Sequence, residues 1–443
     1  MEEIIENIIA YGLTFLLIAL IIIIYLRRNA AKTKLNEEKI LKAKESGFHE
    51  PVSLHPVVDP ESCIGSGACI AACPEHDILG LVNGKAATIN ASRCVGHGAC
   101  FHACPVQAIT LCIGTEKRGV ELPHVSAEFE TSIPGLFIAG ELGGMGLIKN
   151  AVEQGKQAIE YLSKRISKSP KAKYDVIIVG AGPAGISATL TSAKMKLRYL
   201  TLEQDSLGGT VYNFPRAKIV MTSPMDLPLY GKVKLSETSK IELLNLWYSV
   251  LGKNNIKINE QEKVESIEKS DDYFTVKTSK GTYTSNGVLL SIGRRGSPRK
   301  LGVPGEEKEK VSYRLLEPEL VHDQNILIVG GGDSAVESAL LLADEGNHVS
   351  LAYRGETFSR LKPKNLEKIE SASNTKIIKV YFNTNVKEIL DHKVILMVED
   401  FEKEISNDLV YIFAGGELPT KFLEKIGITI TKKFGDAIMK HHR

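Results

Sequence analysis

The chain has 443 residues, room for about three domains, and its 55 Lys and Arg against 53 Asp and Glu leave a formal charge of +2. Such a balance offers nothing to attract nucleic acid or a strongly acidic partner, so nucleic acid is excluded as a ligand. In chain order, the first predicted element is the uncharged run from Asn7 to Leu26, about the length an α-helix needs to cross the hydrocarbon core. Glu2, Glu3 and Glu6 precede it, whereas Arg27, Arg28, Lys32 and Lys34 follow it. The positive-inside rule then predicts a single-pass protein of the bacterial inner membrane with its soluble part in the cytoplasm. A cleaved leader is the alternative; the acidic start, the long apolar run and the lack of a small-residue cleavage site oppose it. Residues 1–27 are assigned to the anchor and the charge-rich residues 28–53 to a juxtamembrane helix or solvated linker.

All seven cysteines lie between Cys63 and Cys112. In a cytoplasmic domain such clustering points to metal or redox chemistry over structural disulfides. Two runs carry six of them, CIGSGACIAACP from Cys63 and CVGHGACFHACP from Cys94, each of the form C-x5-C-x3-C-P. Thiolates are soft, charged ligands for iron, and short Gly-containing loops turn backbone N–H groups toward cluster sulfurs. The runs resemble those of bacterial two-cluster ferredoxins, C-x2-C-x2-C-x3-C-P, with Ser66 and His97 where the second Cys would stand. The resemblance implies an α+β ferredoxin-like domain over residues 54–114. It also implies that Cys63, Cys69 and Cys104 hold one iron–sulfur cluster and Cys73, Cys94 and Cys100 the other, as 3Fe–4S or 4Fe–4S centres. Ser66, His97 or water would be the ligand of any fourth iron. A decayed fold without metal is the alternative, opposed by six thiols kept in register. Cys112, on a predicted strand, reads as a buried small hydrophobe.

Farther on, YDVIIVGAGPAGISATL is a β-branched strand running into G-x-G-x-x-G, with Gly180, Gly182 and Gly185, and then a helix. This is the setting a dinucleotide fingerprint requires, the glycines serving the turn, the approach to pyrophosphate and the helix–strand contact. Pro183 and Ala184 complete the phosphate-facing turn, and Glu203 ends the next strand, placed for a ribose hydroxyl. A second fingerprint, NILIVGGGDSAVE, carries Gly330, Gly332, Ser334 and Ala335. Arg354 ends its following strand, where it can accommodate a 2′-phosphate.

Residues 174–443 resemble the thioredoxin reductase class of flavoproteins, and within it the bacillithiol disulfide reductase-like branch. LGGTVYNFP (Leu207 to Pro215), LLSIGRRGSPRKLGVPGEE, GGGDSAVE and YRGETFSRLKP carry the likeness. It implies an α/β fold with two Rossmann-like domains. FAD would lie on residues 174–296, with Gly209 and Gly293 among its contacts, and NADPH or NADH on residues 297–407, with a return to the FAD domain over 408–443. Thioredoxin reductases carry a C-x-x-C pair just before the second fingerprint; here KEKVSYRLLEPELVHDQ has none, so thioredoxin-type exchange lacks its nucleophile. Gly355 stands where a second Arg is common and Arg360 is displaced by one position, so the preference for NADPH is modest.

The family closes with T-S-x-P-G-L-F and a Gly-Asp that opens a helix facing the flavin. That phrase is absent from the C-terminus and stands upstream as TSIPGLFIAGELGG, Thr131 to Gly144. The expectation is a circular permutation, with residues 115–165 completing the FAD domain and Gly140 and Glu141 at the ribityl chain. Completion of a second subunit's site, or accidental likeness, are the alternatives. The chemistry expected is electron transfer between NAD(P)H, FAD, iron–sulfur clusters and an acceptor: a redox partner protein, a quinone or a small molecule. No acid–base residue is required. A low-molecular-weight disulfide reductase and a redox sensor are the rival functions. The resemblance also implies a homodimer.

Overall fold

The computed structural model describes residues 2–45, 49–51, 53–75, 77–94, 96, 98–144, 146–214, 219–221, 224–235, 237–294, 298–358 and 361–441. His97 and Arg360, both singled out above, lie outside the described residues. Two compact units emerge: Met1–Val120 with Lys433–Arg443, and Glu121–Lys432.

In the first unit the apolar run and the charged run after it form one α-helix, Glu2–Glu45. Its Tyr11–Glu45 part is long and apolar enough to cross a membrane: its most apolar stretch of 18 residues reaches a mean hydropathy of 1.9, and none of that stretch is buried. The expected solvated linker is therefore corrected in part, because residues after Lys32 dock. Asn36 Nδ2 donates to the Leu81 carbonyl at 2.9 Å, Asn83 N–H donates to Thr33 Oγ1 at 3.3 Å, and Lys39 pairs with Asp77 at 3.0 Å. Ala43 is buried.

These contacts land on the hairpin Leu79–Val82 and Lys85–Thr88. Its turn is Asn83-Gly84, both with positive φ (50° and 74°), the conformation that two-residue hairpins favour. A second, three-stranded sheet has Ile109–Ile113 in its centre, flanked by Leu54–Val58 and Asp436–Met439. Cys112 is buried there opposite His55. Two five-residue helices, Ala68–Ala72 and Ala99–Ala103, lie within the two thiol runs and carry Cys69 and Cys100.

The second unit holds two sheets of Rossmann type. The first has the order Val264–Lys269, Phe274–Thr278, Thr282–Leu290, Tyr174–Val179, Tyr199–Leu202. Continuous apolar runs make its parallel strands, as burial on both faces demands. Leu136–Ile138 joins it, parallel to Val288–Leu290, and all three of its residues are buried to 1 % exposure or less. The helix Ile148–Arg165 covers one face beside the fingerprint helix Pro183–Lys194.

The second sheet is parallel throughout, in the order Val311–Ser312, Leu409–Ile412, Asn325–Val329, His348–Ala352, Ile378–Tyr381. The expected return to the FAD domain at residue 408 is thus later: the apolar run Leu409–Ile412 pairs with half-buried Val311–Ser312 on one side and with the buried strand Asn325–Val329 on the other. Leu423 and Ile428 do pack into the core of the first sheet. Beyond them the chain leaves again, and Asp436–Met439 pairs with Ile109–Ile113 of the ferredoxin-like unit, whose edge it covers.

Candidate FAD, nucleotide and iron–sulfur sites

Each thiol run is wound by two left-handed glycines, Gly65 (φ 71°) and Gly67 (φ 72°), then Gly96 (φ 78°) and Gly98 (φ 72°). A side chain at Gly65 would meet the Gly84 carbonyl oxygen at 1.9 Å, so only glycine lets the run close on the hairpin. The turns aim backbone N–H groups at sulfur. Gly65 and Ala86 each donate to Cys63 Sγ at 3.4 Å, Gly96 to Cys94 Sγ at 3.4 Å, and Ala108 to Cys104 Sγ at 3.2 Å. Such bonds favour thiolate over thiol.

The six thiols fall into two neighbourhoods. Cys63, Cys69 and Cys104 line one cavity together with Ser66. Burial pushes the Cys69 thiol up, and Cys63 and Cys104 add to the shift. In the other group, burial and then Cys73 push Cys94 up to about 11. Cys100 is pushed up to about 12 by burial, then by Cys94 and Cys73. Buried thiols that raise one another resist becoming anions until a cation joins them, and this donor set fits iron. Among the described residues no three His, Cys, Asp or Glu side chains converge on a single-ion position. A cluster has a separate iron for each thiolate and needs a ring of sulfurs instead.

The first fingerprint is built on close backbone approach. A Cβ at Gly185 would lie 1.8 Å from the Gly180 carbonyl oxygen, and one at Gly180 would lie 2.6 Å from the Ser291 carbonyl oxygen. Beside Gly182 there is open space within 4 Å, as a bound pyrophosphate requires. A Cβ built on Gly209 would lie 3.5 Å from Gly182 Cα, and Gly208 N–H donates to the Ala181 carbonyl at 2.9 Å. The upstream phrase lies in the same cleft: a Cβ on Gly140 would be 3.1 Å from that of Ala184, and one on Gly155 only 2.1 Å from the Ala184 carbonyl oxygen. Pro183 is the first residue of the fingerprint helix.

Glu203 is 6 % exposed and already engaged. Oε2 accepts from Ala181 N–H at 2.7 Å and Oε1 from Asp205 N–H at 2.9 Å. Each oxygen keeps a lone pair, so a ribose hydroxyl can still donate to it. Burial raises its pKa above the ordinary 4.5 despite those donors. A raised acid adds stability below the unfolded value that is lost as pH rises through the folded one. Glu203→Gln is therefore expected to flatten the loss of apoprotein stability above about pH 4.5, read by urea unfolding at several pH values. FAD titration should show affinity falling about 10–100-fold, because a charge-assisted bond contributes about 1.5–3 kcal/mol. An unchanged FAD affinity would refute the ribose role.

Arg294 is the residue that sequence reasoning missed in this cleft. It follows Gly293 (φ 68°), and burial lowers its pKa while the Glu141 carboxylate opposes that shift. The pair links Gly293 to Gly140 and Glu141. Its only sequence signal was an Arg following Gly293, which stands three residues on from the strand end at Leu290.

At the second fingerprint, Gly330 (φ 142°) comes within 2.5 Å of the Phe413 carbonyl oxygen once a Cβ is added, while Gly332 faces open space. Ala335 is buried, and Ser334 and Arg354 are exposed. Asp333 Oδ1 accepts from Lys362 N–H at 3.0 Å and Asn365 Nδ2 at 2.8 Å, tying helix Asp333–Asp344 to the start of helix Pro363–Asn374. The Tyr353 ring fills the space a side chain at Gly331 would need, at 2.4 Å.

Comparison with known proteins finds relatives of both parts of the chain. Residues 177–440 match the pyridine nucleotide-disulphide oxidoreductase family model, and residues 55–105 match a 4Fe–4S dicluster domain. Bacilliredoxin reductase Bdr of Bacillus subtilis is 31 % identical over 58 % of this chain and 82 % of its own length. A ferredoxin–NADP reductase of Ignicoccus hospitalis is 28 % identical over 58 % of this chain and 83 % of its own. Among solved structures, bacillithiol disulfide reductase Bdr from Staphylococcus aureus superimposes with a TM-score of 0.52 at 29 % identity, covering 59 % of this chain and 82 % of that one.

Proposed function

Because the chain belongs to the pyridine nucleotide-disulphide oxidoreductase family, we propose that it passes electrons from NADPH, or NADH, through FAD to its own iron–sulfur clusters and on to an acceptor at a membrane. It is an FAD-dependent oxidoreductase with a ferredoxin domain of 4Fe–4S type. The observation that carries the reading is the placement of the thiols: all seven stand between Cys63 and Cys112, leaving the flavoprotein part without a cysteine. A flavin there has no protein dithiol to reduce. Bound FAD would supply hydride acceptance from a nicotinamide, and bound clusters would supply one-electron transfer.

The chain's own residues bind and orient. Gly180 to Gly185 would take the FAD pyrophosphate, Glu203 a ribose, Gly209 and Gly293 the flavin side of the cleft, and Glu141 with Arg294 the ribityl region. Gly330, Gly332, Ser334, Ala335 and the exposed Arg354 would hold the nicotinamide nucleotide. Cys63, Cys69 and Cys104 would hold one cluster, Cys73, Cys94 and Cys100 the other. The flavoprotein is circularly permuted in this reading, supported by a family match that begins at residue 177 while Leu136–Ile138 pairs within the same sheet. The helix Glu2–Glu45 serves as a single-pass inner-membrane anchor with the rest in the cytoplasm, supported by its exposed apolar residues and flanking charges.

Full-length protein, purified anaerobically in detergent, tests this by EPR before and after NADPH or NADH. NADPH is expected to reduce the clusters and to drive rapid turnover with an artificial one-electron acceptor. If neither nucleotide changes the cluster signals, the proposed chain is wrong. The names of the Bdr relatives favour a second reading, an NADPH-dependent reductase of low-molecular-weight disulfides. NADPH oxidation that depends on bacillithiol disulfide, with silent clusters, would select it.

A further inference from the structure

We propose that the first iron–sulfur site keeps one iron open at Ser66, and that this corner takes a small thiol from solution as its ligand. The inference rests on the reading that Cys63, Cys69 and Cys104 hold iron. In the run Cys63-x2-Ser66-x2-Cys69, a serine stands where the spacing calls for a thiolate. The structure turns it to the same place as the thiols: Ser66 lines the cavity bounded by Cys63, Cys69 and Cys104. All the other residues lining that cavity are apolar or glycine, so Ser66 Oγ is its one polar side-chain atom besides sulfur. Two left-handed glycines set the path of the run on either side of Ser66, and no side chain fits at Gly65, where a Cβ would lie 1.9 Å from the Gly84 carbonyl oxygen.

A neutral hydroxyl is a poor ligand for an iron whose other partners are sulfur, and softer thiolates outcompete it. Ser66 Oγ also accepts a long backbone contact from Ala68 N–H at 3.5 Å. Access is available, for Ser66 is exposed and its neighbour Ile64 is 64 % exposed. Charge favours an anion: Lys85 Nζ donates to the Cys63 carbonyl at 2.5 Å and so stands beside the site. An incoming thiol would bind as thiolate and release its proton to solvent, with no change in oxidation state.

The test uses full-length protein in detergent, anaerobically loaded with iron and sulfide, with 2-mercaptoethanol as the probe and EPR of the reduced clusters as the readout. Millimolar 2-mercaptoethanol is expected to shift the g values of one of two cluster signals in the wild type and in Ser66→Ala. In Ser66→Cys, whose added thiolate closes the corner, that shift should be lost. Cluster signals that ignore the thiol in the wild type, or respond equally in Ser66→Cys, overturn the inference and leave the electron-transfer reading standing. A protein that takes up no iron–sulfur cluster at all overturns both.

Discussion

Gly155→Ala is expected to lose FAD and to destabilise the flavoprotein unit, although alanine is the better helix former. In a helix interior with free space the change from Gly to Ala should add about 1 kcal/mol of stability. Gly155 has none: its Cβ would lie 2.1 Å from the Ala184 carbonyl oxygen, 2.9 Å from the carbonyl carbon and 3.1 Å from Cα. Those are backbone atoms of the fingerprint helix, which cannot swing aside as a side chain would. The same crossing is fixed by Ser187 Oγ donating to the Val152 carbonyl at 2.6 Å, fully buried. Relief therefore requires parting the helices, and overpacking of this kind costs about 1–3 kcal/mol. Because the displaced helix begins at the pyrophosphate turn, we expect FAD affinity to fall by about 2 kcal/mol, roughly 30-fold. Gly252 in helix Lys240–Lys253 is the control, with nothing within 4 Å of its Cβ. Gly252→Ala should raise the urea midpoint and leave flavin content unchanged. If both variants are stabilised, the crossing is looser than described and the upstream helix does not set the FAD cleft.

Removing residues 434–443 is expected to empty the iron–sulfur sites while the flavin stays. Asp436–Met439 is the third strand of the ferredoxin-like sheet, with Ala437 opposite Cys112 and Met439 opposite Leu111. Without it, Ile109–Ile113 keeps a single partner, and an isolated two-stranded pair is marginal in water. The deletion also removes His441, whose ring stacks on Phe101 with centroids 3.7 Å apart and planes within 4°. An aromatic contact of this kind contributes about 0.5–1.5 kcal/mol beyond burial. Phe101 follows Cys100 directly, so the loss reaches the thiol loop. Iron and acid-labile sulfide measured against flavin absorbance decide the matter. A ratio of iron to flavin equal to that of the full chain would show the strand to be dispensable.

The thiol runs, the two glycine fingerprints and the long apolar N-terminal helix were legible because each is local: spacing, a strand end or an uncharged run carries the information. Leu136–Ile138 was legible for another reason, its likeness to a phrase with a known place in the fold. The Asp436–Met439 strand was opaque. Its residues alternate no hydrophobic face, and its partner edge lies more than three hundred residues earlier in the chain, a pairing that only tertiary context selects. Leu409–Ile412 carried a clear apolar strand pattern, but nothing in four residues states which of the two large sheets will bury them. Arg294 went unassigned because a charged residue shortly after a strand end reads as a solvated one until burial is known. For the same reason, nothing in the sequence indicated that Glu203 would be engaged by two backbone N–H groups.

The helix that runs unbroken from Glu2 to Glu45 has a mechanical consequence for the proposed arrangement. Ten residues separate Leu26, at the end of the apolar run, from Asn36, which holds the hairpin. At 1.5 Å per residue that is about 15 Å. The iron-binding unit would ride at a set height on a stiff post, unable to swing on a leash. Its meetings with a membrane-borne acceptor would then be a search in two dimensions, governed by lateral diffusion and rotation about the post's own axis.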